Sequence, residues 1–261
     1  MDTTTKITTA SPLVSIIMLT YNRANYISLA LESAFAQTYQ NFEIIILDDG
    51  STDNTESVVA SFSDPRIRYI KDTANKGLFF RRHESLSYVR GEYVAILDSD
   101  DIWSNPNKVT EQVALLEANH QCAVVGTFIT LIDEHGHEIG KNDYCTNDKD
   151  IRNIILRRNQ FANSSVMMRK SILDKTAGYR DFAPTEDFDL FLQLGRLGTF
   201  ANLPEYMLAY RVHSGGESAR KRKLVPLVLK VIALHKDAYP NYYQAWLKYT
   251  FYRLLILLKL K

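Results

Sequence analysis

The acidic residues of this chain come in tight groups. Asp98-Ser99-Asp100-Asp101 directly follows the apolar run YVAIL. Carboxylates this close repel one another, and the repulsion falls when a cation lies between them and an anionic ligand. Hard oxygen donors suit Mg²⁺ or Mn²⁺ rather than zinc, and such an ion bridges carboxylate to phosphate. If the chain stays extended here, alternation turns Asp98 and Asp100 to the same side. A solvated acidic turn ahead of the next helix accounts for the same residues equally well. Asp48-Asp49-Gly50-Ser51 follows a second apolar run, FEIIIL. An acid there can accept hydrogen bonds from a base or ribose. Helix capping by Ser51, Thr52 or Asp53 is the plainer account, and it explains Asp53 but not Asp48 and Asp49. Thr20-Tyr21-Asn22-Arg23 follows the first run, VSIIMLT. Its ring can stack on a base and its guanidinium can meet phosphate, although an ordinary turn would look the same. Asn75-Lys76-Gly77, with Arg81 and Arg82 one turn on, reads as diphosphate recognition or as a solvated basic helix face. Glu186-Asp187-Phe188-Asp189 opens a helix, where the dipole favours acids anyway. The functional alternative is a general base for a hydroxyl.

The elements that must position these groups are strands and helices in alternation. The spacing predicts strands at 14–20, 42–47, 67–70 and 93–97, and helices at 25–37, 53–62 and 78–89. Strands that are apolar throughout, separated by amphipathic helices, imply a mostly parallel sheet covered on both faces. Ligands then gather at the carboxyl ends of the strands. Two of the acidic motifs and the tyrosine motif fall at such ends, an alignment that independent turns would rarely produce. Beyond Asp98 the pattern predicts a helix at 106–117, a strand at 124–131, a turn at 133–136 with Gly136 at positive φ, helices at 148–158 and 187–197, and a strand at 207–212.

The 261 residues suit one large α/β domain, or one of roughly 200 residues with a helical appendix. We divide the chain into a flexible segment 1–12, a catalytic domain 13–216 in two halves (13–101 and 102–216) and a helical segment 217–261. The net charge of +1 gives no overall field for nucleic acid. Two cysteines, Cys122 and Cys145, are too few for a disulfide scaffold or a zinc site, and a reducing compartment fits. Residues 1–12 lack the basic start and apolar stretch of a secretory signal. No apolar run approaches the roughly 20 residues that span a bilayer. Charge is uneven, however: from Arg220 onward ten Lys and Arg face one acid, Asp237. Residues 224–236 are expected to pack on the body. Residues 251–260 either lie in a membrane interface or pack on the body or a second subunit.

Six stretches then carry a resemblance: VSIIMLTYNRANYI (14–27), ALESAFAQTYQNFEIIILDDGSTDNT (30–55), NKGL (75–78), GEYVAILDSDD (91–101), FANSSVMMRKS (161–171) and TEDFDLFLQLGRLG (185–198). Together they resemble the inverting glycosyltransferases of family 2, which have the GT-A fold: a Rossmann-like, mostly parallel sheet flanked by helices. The resemblance implies a sugar transferred from a nucleoside diphosphate, UDP by family habit, to a hydroxyl. The acceptor would be a saccharide or lipid-linked saccharide of bacterial surface polysaccharide or glycolipid synthesis. The composition, apart from the resemblance, suggests a cytoplasmic setting, with peripheral membrane contact or homodimerisation through the C-terminal helices. The resemblance further implies that Tyr21, with Thr20 and Arg23, lies by the nucleobase and phosphate, and that Asp49 meets the base or ribose. Asp98 and Ser99 would face the sugar nucleotide, and Asp100 would ligate the divalent metal, Mn²⁺ or Mg²⁺. Lys76 and Arg82 would add charge near the donor. Asp187 would be the catalytic base, with Glu186 beside it. Arg211 and His213, in Tyr210-Arg211-Val212-His213, would belong to a late loop closing over the diphosphate, His213 reaching the metal. His83 stands where relatives often have Asn. The 180–185 stretch, which shapes the acceptor side, is short.

Two other enzyme classes fit less well. Haloacid-dehalogenase-type phosphatases carry Asp-x-Asp by the first strand, whereas here it ends the fourth. No Gly-x-Gly-x-x-Gly follows the first strand, which disfavours a dinucleotide dehydrogenase. A non-catalytic sugar-nucleotide or scaffold module of a polysaccharide assembly complex remains the alternative.

Overall fold

Strands β1 (Val14–Thr20), β2 (Phe42–Asp48) and β4 (Tyr93–Ile96) are almost entirely buried, because both faces of each are covered. The structure is a computed structural model that describes residues 11–213 and 221–258. β1 pairs in parallel with β2 and β4, and β2 pairs in parallel with β3 (Ile67–Lys71). The register sets Thr20 beside Asp48, so the first two strands end level. Helices α1 (Ile27–Phe35), α2 (Thr55–Ala60) and α3 (Leu78–Ser85) form the crossovers. This half follows the alternation read from the sequence.

The other half mixes antiparallel and parallel pairings. Strand order is β3-β2-β1-β4-β8-β6-β9-β5, with β7 (Glu138–Asn142) on β6. β8 (Met167–Arg169) lies antiparallel between β4 and β6 (Cys122–Ile132). β6 runs parallel to β9 (Thr199–Arg211), whose other edge takes β5 (Ile102–Trp103) antiparallel. Sequence reasoning missed β5, β7, β8 and the short helix α6 (Lys170–Leu173). Strands of two or three residues, as β5 and β8 are, carry no period to detect, and α6 is a single turn. It also started β9 late, at 207. Pro204 and the register shifts around Phe128 interrupt the ladder there, and an irregular stretch is where a strand tolerates proline.

Alternation along β1 sends side chains into two cores. Val14, Ile16 and Met18 meet Ile27, Leu31, Val109 and Leu116, the last two from α4 (Lys108–Ala118). Ile17 joins Val94 and Ile96 against Ile151 of α5 (Asp148–Ile154) and Phe188 and Phe191 of α7 (Glu186–Leu197). The second core extends into α8 (Lys221–Leu234), where Val228, Val231 and Ile232 are buried, so 224–236 packs on the body as expected. Helix α9 (Tyr242–Leu257) buries only Ala245 fully. Cys122 is buried, Cys145 is partly exposed, and both are free thiols. Among the described residues no helix is long and apolar enough to cross a membrane. The expected flexible segment lies outside the described residues except for Ser11 and Pro12, and so do positions 214–220.

Candidate active site

Four loops at the carboxyl ends of β1, β2, β4 and β9 carry the chemistry, together with the start of α7. The chain turns sharply after β4: the Asp101 N–H donates to the Asp98 carbonyl at 3.1 Å. Extended alternation therefore does not apply, and Asp98 and Asp100 have separate partners. Asp98 lies 3.6 Å from Arg82 Nη2 and accepts from Asn163 Nδ2 at 3.1 Å. Asp100 Oδ2 lies 3.0 Å from His213 Nε2 and 3.4 Å from Arg23 Nε. Asp101 and Ser99 are buried, and Asp101 accepts the Arg211 N–H at 2.8 Å. Burial, then the charges of Asp100 and Asp98, push the Asp101 pKa well above the usual carboxylate range. Ser164 latches the turn. Its Oγ accepts the Asp98 N–H at 3.0 Å, and its carbonyl accepts Trp103 Nε1 at 2.9 Å. Sequence reasoning gave Asn163 and Ser164 no role. They sit in a single 3-10 turn (Asn163–Ser165) whose bonds to the Asp98 turn span more than sixty residues, so the resembling stretch 161–171 gave no sign of this task.

Arg82 joins this turn to α7. Its Nε lies 3.2 Å from Glu186 Oε1, and both side chains are buried. Burial works against the guanidinium charge, yet Glu186, Asp98 and Asp187 together hold the Arg82 pKa above its ordinary value. Glu186 Oε2 is buried without a hydrogen-bond partner. Asp187, half-buried, accepts the N–H of Phe188 at 2.7 Å. Loss of hydration raises the Asp187 pKa, Arg82 opposes the rise and Asp98 adds to it. Glu186 is raised by burial too, against Arg82 and with Asp187.

The remaining motifs serve first as scaffolding. The Asp49 carboxylate accepts the N–H groups of Lys76 and Gly77 at 2.7 and 2.9 Å, tying the 75–77 loop to the end of β2. Asp48 accepts the Ser51 N–H at 2.7 Å and the Tyr69 hydroxyl. Capping and loop-tying thus account for both acids that helix capping alone left unexplained. Gly50 stands at φ +77°, and a Cβ there would lie 2.7 Å from the Ala74 carbonyl carbon, so only glycine fits the turn. Lys76 extends its ammonium to Asp72 at 2.9 Å, away from the Asp98 turn. Buried Arg81 donates to the Asp48 carbonyl at 2.9 Å. Asn22 docks the Tyr21 loop on the next one, its Oδ1 accepting the Thr52 N–H at 2.8 Å. That leaves the Tyr21 ring exposed, while the Thr20 hydroxyl is buried with no partner. The Arg211 guanidinium donates to the carbonyls of Asp100, Asp133 and Glu134 at 2.9 to 3.1 Å. It holds backbone rather than facing a ligand, and it stacks on Tyr26 at 4.9 Å.

The structure therefore brings Asp98, Glu186 and Asp187 together around Arg82, and Asp100 together with Arg23 and His213 one turn away. It leaves the Lys76 ammonium and the Arg211 guanidinium on other tasks. Five carboxylates (Asp98, Asp100, Asp101, Glu186, Asp187) face two guanidinium groups, Arg82 and Arg23, and Arg23 also donates to the carbonyls of Tyr21 and Asn22 at 3.4 Å. That imbalance favours an added cation. Asp100 and His213 are donors that fit one, but no group of three or more His, Cys, Asp or Glu able to hold a metal occurs among the described residues. Oxygens from a ligand or water would have to complete the shell, as is usual for Mg²⁺ and Mn²⁺ at phosphates.

Comparison with known proteins identifies the family and the fold. The family model described as "Glycosyl transferase family 2" matches residues 15–176. A putative glycosyltransferase, EpsE, of Bacillus subtilis is 32% identical over 87% of this chain and 82% of its own length. An Escherichia coli protein named UDP-Glc:alpha-D-GlcNAc-diphosphoundecaprenol beta-1,3-glucosyltransferase WfgD is 32% identical over 70% of this chain and 69% of its own. Among solved structures, Staphylococcus aureus TarS in complex with UDP-GlcNAc superposes with a TM-score of 0.71 at 18% identity, over 91% of this chain and 71% of that one. The mannosyltransferase PcManGT of Pyrobaculum calidifontis, in complex with GDP-Man and Mn²⁺, gives 0.69 at 19%, over 94% and 70%. Those two likenesses establish the GT-A fold. With the family match covering more than half the chain, this protein belongs to glycosyl transferase family 2 and is a glycosyltransferase.

Proposed function

We propose that the chain transfers one sugar from a nucleoside diphosphate sugar, UDP-linked, to an acceptor hydroxyl with inversion at the anomeric carbon. The observation that supports this reading most is the convergence on one turn: Asp98 and Asp100 after β4, Glu186 and Asp187 at the start of α7, with Arg82 between them. The relative WfgD, named for a UDP-glucose donor and a diphosphoundecaprenol-linked acceptor, supports a UDP-sugar and a lipid-linked saccharide. Bacterial surface polysaccharide or glycolipid synthesis is the corresponding setting, on the inner side of the plasma membrane. We assign the domain halves accordingly: 13–101 holds the nucleotide and 102–216 the acceptor.

In this reading Tyr21, exposed beyond β1, stacks on the base, with Thr20 beside it and Arg23 near the phosphates. Asp49 acts on the nucleotide end by fixing the 75–77 loop through Lys76 and Gly77, and Lys76 adds charge only at the rim. Asp98 and Ser99 face the sugar nucleotide. Asp100 and His213 hold a divalent cation, Mn²⁺ or Mg²⁺, which when bound neutralises charge developing on the diphosphate. Arg82 steadies the same charge and keeps Asp98, Glu186 and Asp187 in one place. Asp187 takes the acceptor hydroxyl proton as that oxygen attacks the face opposite the leaving group. One displacement needs no covalent sugar–enzyme intermediate.

The test is a screen of sugar nucleotides for nucleoside diphosphate release, with and without Mn²⁺, followed by determination of product anomeric configuration. Release from a UDP-sugar with inverted product is the expected result. A retained configuration would refute the single displacement. Release from none of the panel with any acceptor would favour a non-catalytic module.

A further inference from the structure

Helix α9 presents an apolar face to solvent. Of the fifteen large hydrophobic side chains exposed among the described residues, seven lie on or just beyond it: Tyr243, Trp246, Leu247, Phe251, Leu254, Leu257 and Leu258. At 3.6 residues per turn these fall on one arc of roughly 140°, and Thr250 is the sole polar residue within it. Gln244 and Arg253 mark its edges. The opposite side meets the body through buried Ala245 and through Lys248 and Tyr249, which donate to the Arg157 carbonyl at 2.7 and 3.3 Å. The outward arc is therefore not a misplaced core. The helix is docked by its other side, and a contiguous exposed patch of this kind marks a binding surface.

Charge indicates the occupant. Residues 220–261 carry ten Lys and Arg against Asp237 alone, while residues 1–219 carry 21 basic and 29 acidic side chains. The chain is thus polarised, with an acidic catalytic body and a basic C-terminal segment. A second copy docking through the same face would bring two strongly positive segments together. An anionic bilayer surface would satisfy both the apolar arc and the basic composition of the C-terminal segment. Trp246 and Tyr243 suit the headgroup level, and Lys and Arg can keep their charges in water while their stems lie along apolar surface. At about 24 Å for sixteen residues the helix is suited to lying in the interface.

We propose that the outer face of α9 is a docking surface for anionic lipid bilayers, holding the enzyme at a membrane parallel to the helix axis. This does not depend on the acceptor assignment, because a soluble acceptor would leave the surface chemistry unchanged.

The test is co-flotation of the full-length chain with vesicles of phosphatidylcholine alone or with added phosphatidylglycerol, at low and high salt. Binding is expected to the anionic vesicles, to weaken as salt rises, and to fall at least about tenfold in the double variant Leu247→Glu/Leu254→Glu. Both positions face solvent, so the variant should keep the wild-type melting temperature and sugar-nucleotide turnover with a soluble acceptor. Equal flotation of wild type and double variant would overturn the proposal. So would absence of flotation accompanied by a dimer in sedimentation that the double variant abolishes, which would assign the face to a second copy. Absence of sugar-nucleotide turnover in the wild type, with flotation lost in the double variant as expected, would count against the active-site reading alone.

Discussion

Arg82 is the residue on which the site's electrostatics turn. It is buried between Glu186 and Asp98, with Asp187 close behind. Breaking a buried pair strands the partner charges, so Arg82→Gln is expected to cost about 3–5 kcal/mol of stability, read by denaturant unfolding. An unchanged unfolding midpoint would contradict the pairing. Asp187→Asn is expected to lower turnover roughly 10²- to 10⁴-fold while leaving donor binding in place. Near-normal turnover would remove Asp187 as the base. The pH profile follows from the direction of its shift. Burial raises the Asp187 pKa, so the base is still protonated at pH values where an ordinary aspartate is charged. The fall of kcat/KM toward acid should therefore be centred above the ordinary aspartate value. A limb at or below that value would contradict the buried position of the carboxylate. The sequence singled out these acids but not the partners they share. The partners of Asp98 come from residues 82 and 163, and those of Asp100 from 23 and 213. No spacing encodes such pairs.

Among the elements, short connections do the positioning. The turn after β4 is held by Ser164, from a 3-10 turn more than sixty residues away in sequence. Ser164→Ala leaves the Asp98 N–H without its partner, at about 1–3 kcal/mol, and loosens the turn. The expected signature is weaker donor binding with little change in KM for the acceptor. An effect confined to the acceptor would place Ser164 elsewhere in the mechanism. The parallel strands were legible because continuous burial leaves continuous apolar runs. Two- and three-residue strands such as β5 and β8 were not, because register with distant partners, rather than local pattern, makes them strands. The same reason hid the roles of Asp48 and Asp49. Asp49 read as a ligand group beside a turn, and its carboxylate also holds the N–H groups of Lys76 and Gly77 in a neighbouring loop, while Asp48 holds the Ser51 N–H of its own turn.

Across the whole molecule, α8 belongs to the catalytic body. Ile232 is fully buried against the core that also contains Phe188 and Phe191 of α7, so Ile232→Ala should cost about 2–5 kcal/mol. A smaller loss, below the range of a buried methyl deletion, would mean that α8 is peripheral. Composition suggested the boundary near residue 217 as a change in charge, and packing shows that the core crosses it. The central claim is that acids from separate stretches of chain converge to receive a cation and a diphosphate together. Calorimetric titration of UDP into the wild-type chain and into Asp100→Ala, each with Mn²⁺ and with a chelator, tests it most directly. The account predicts strong heat only for the wild type with Mn²⁺. Equal binding with the chelator, or binding unchanged by Asp100→Ala, would contradict it.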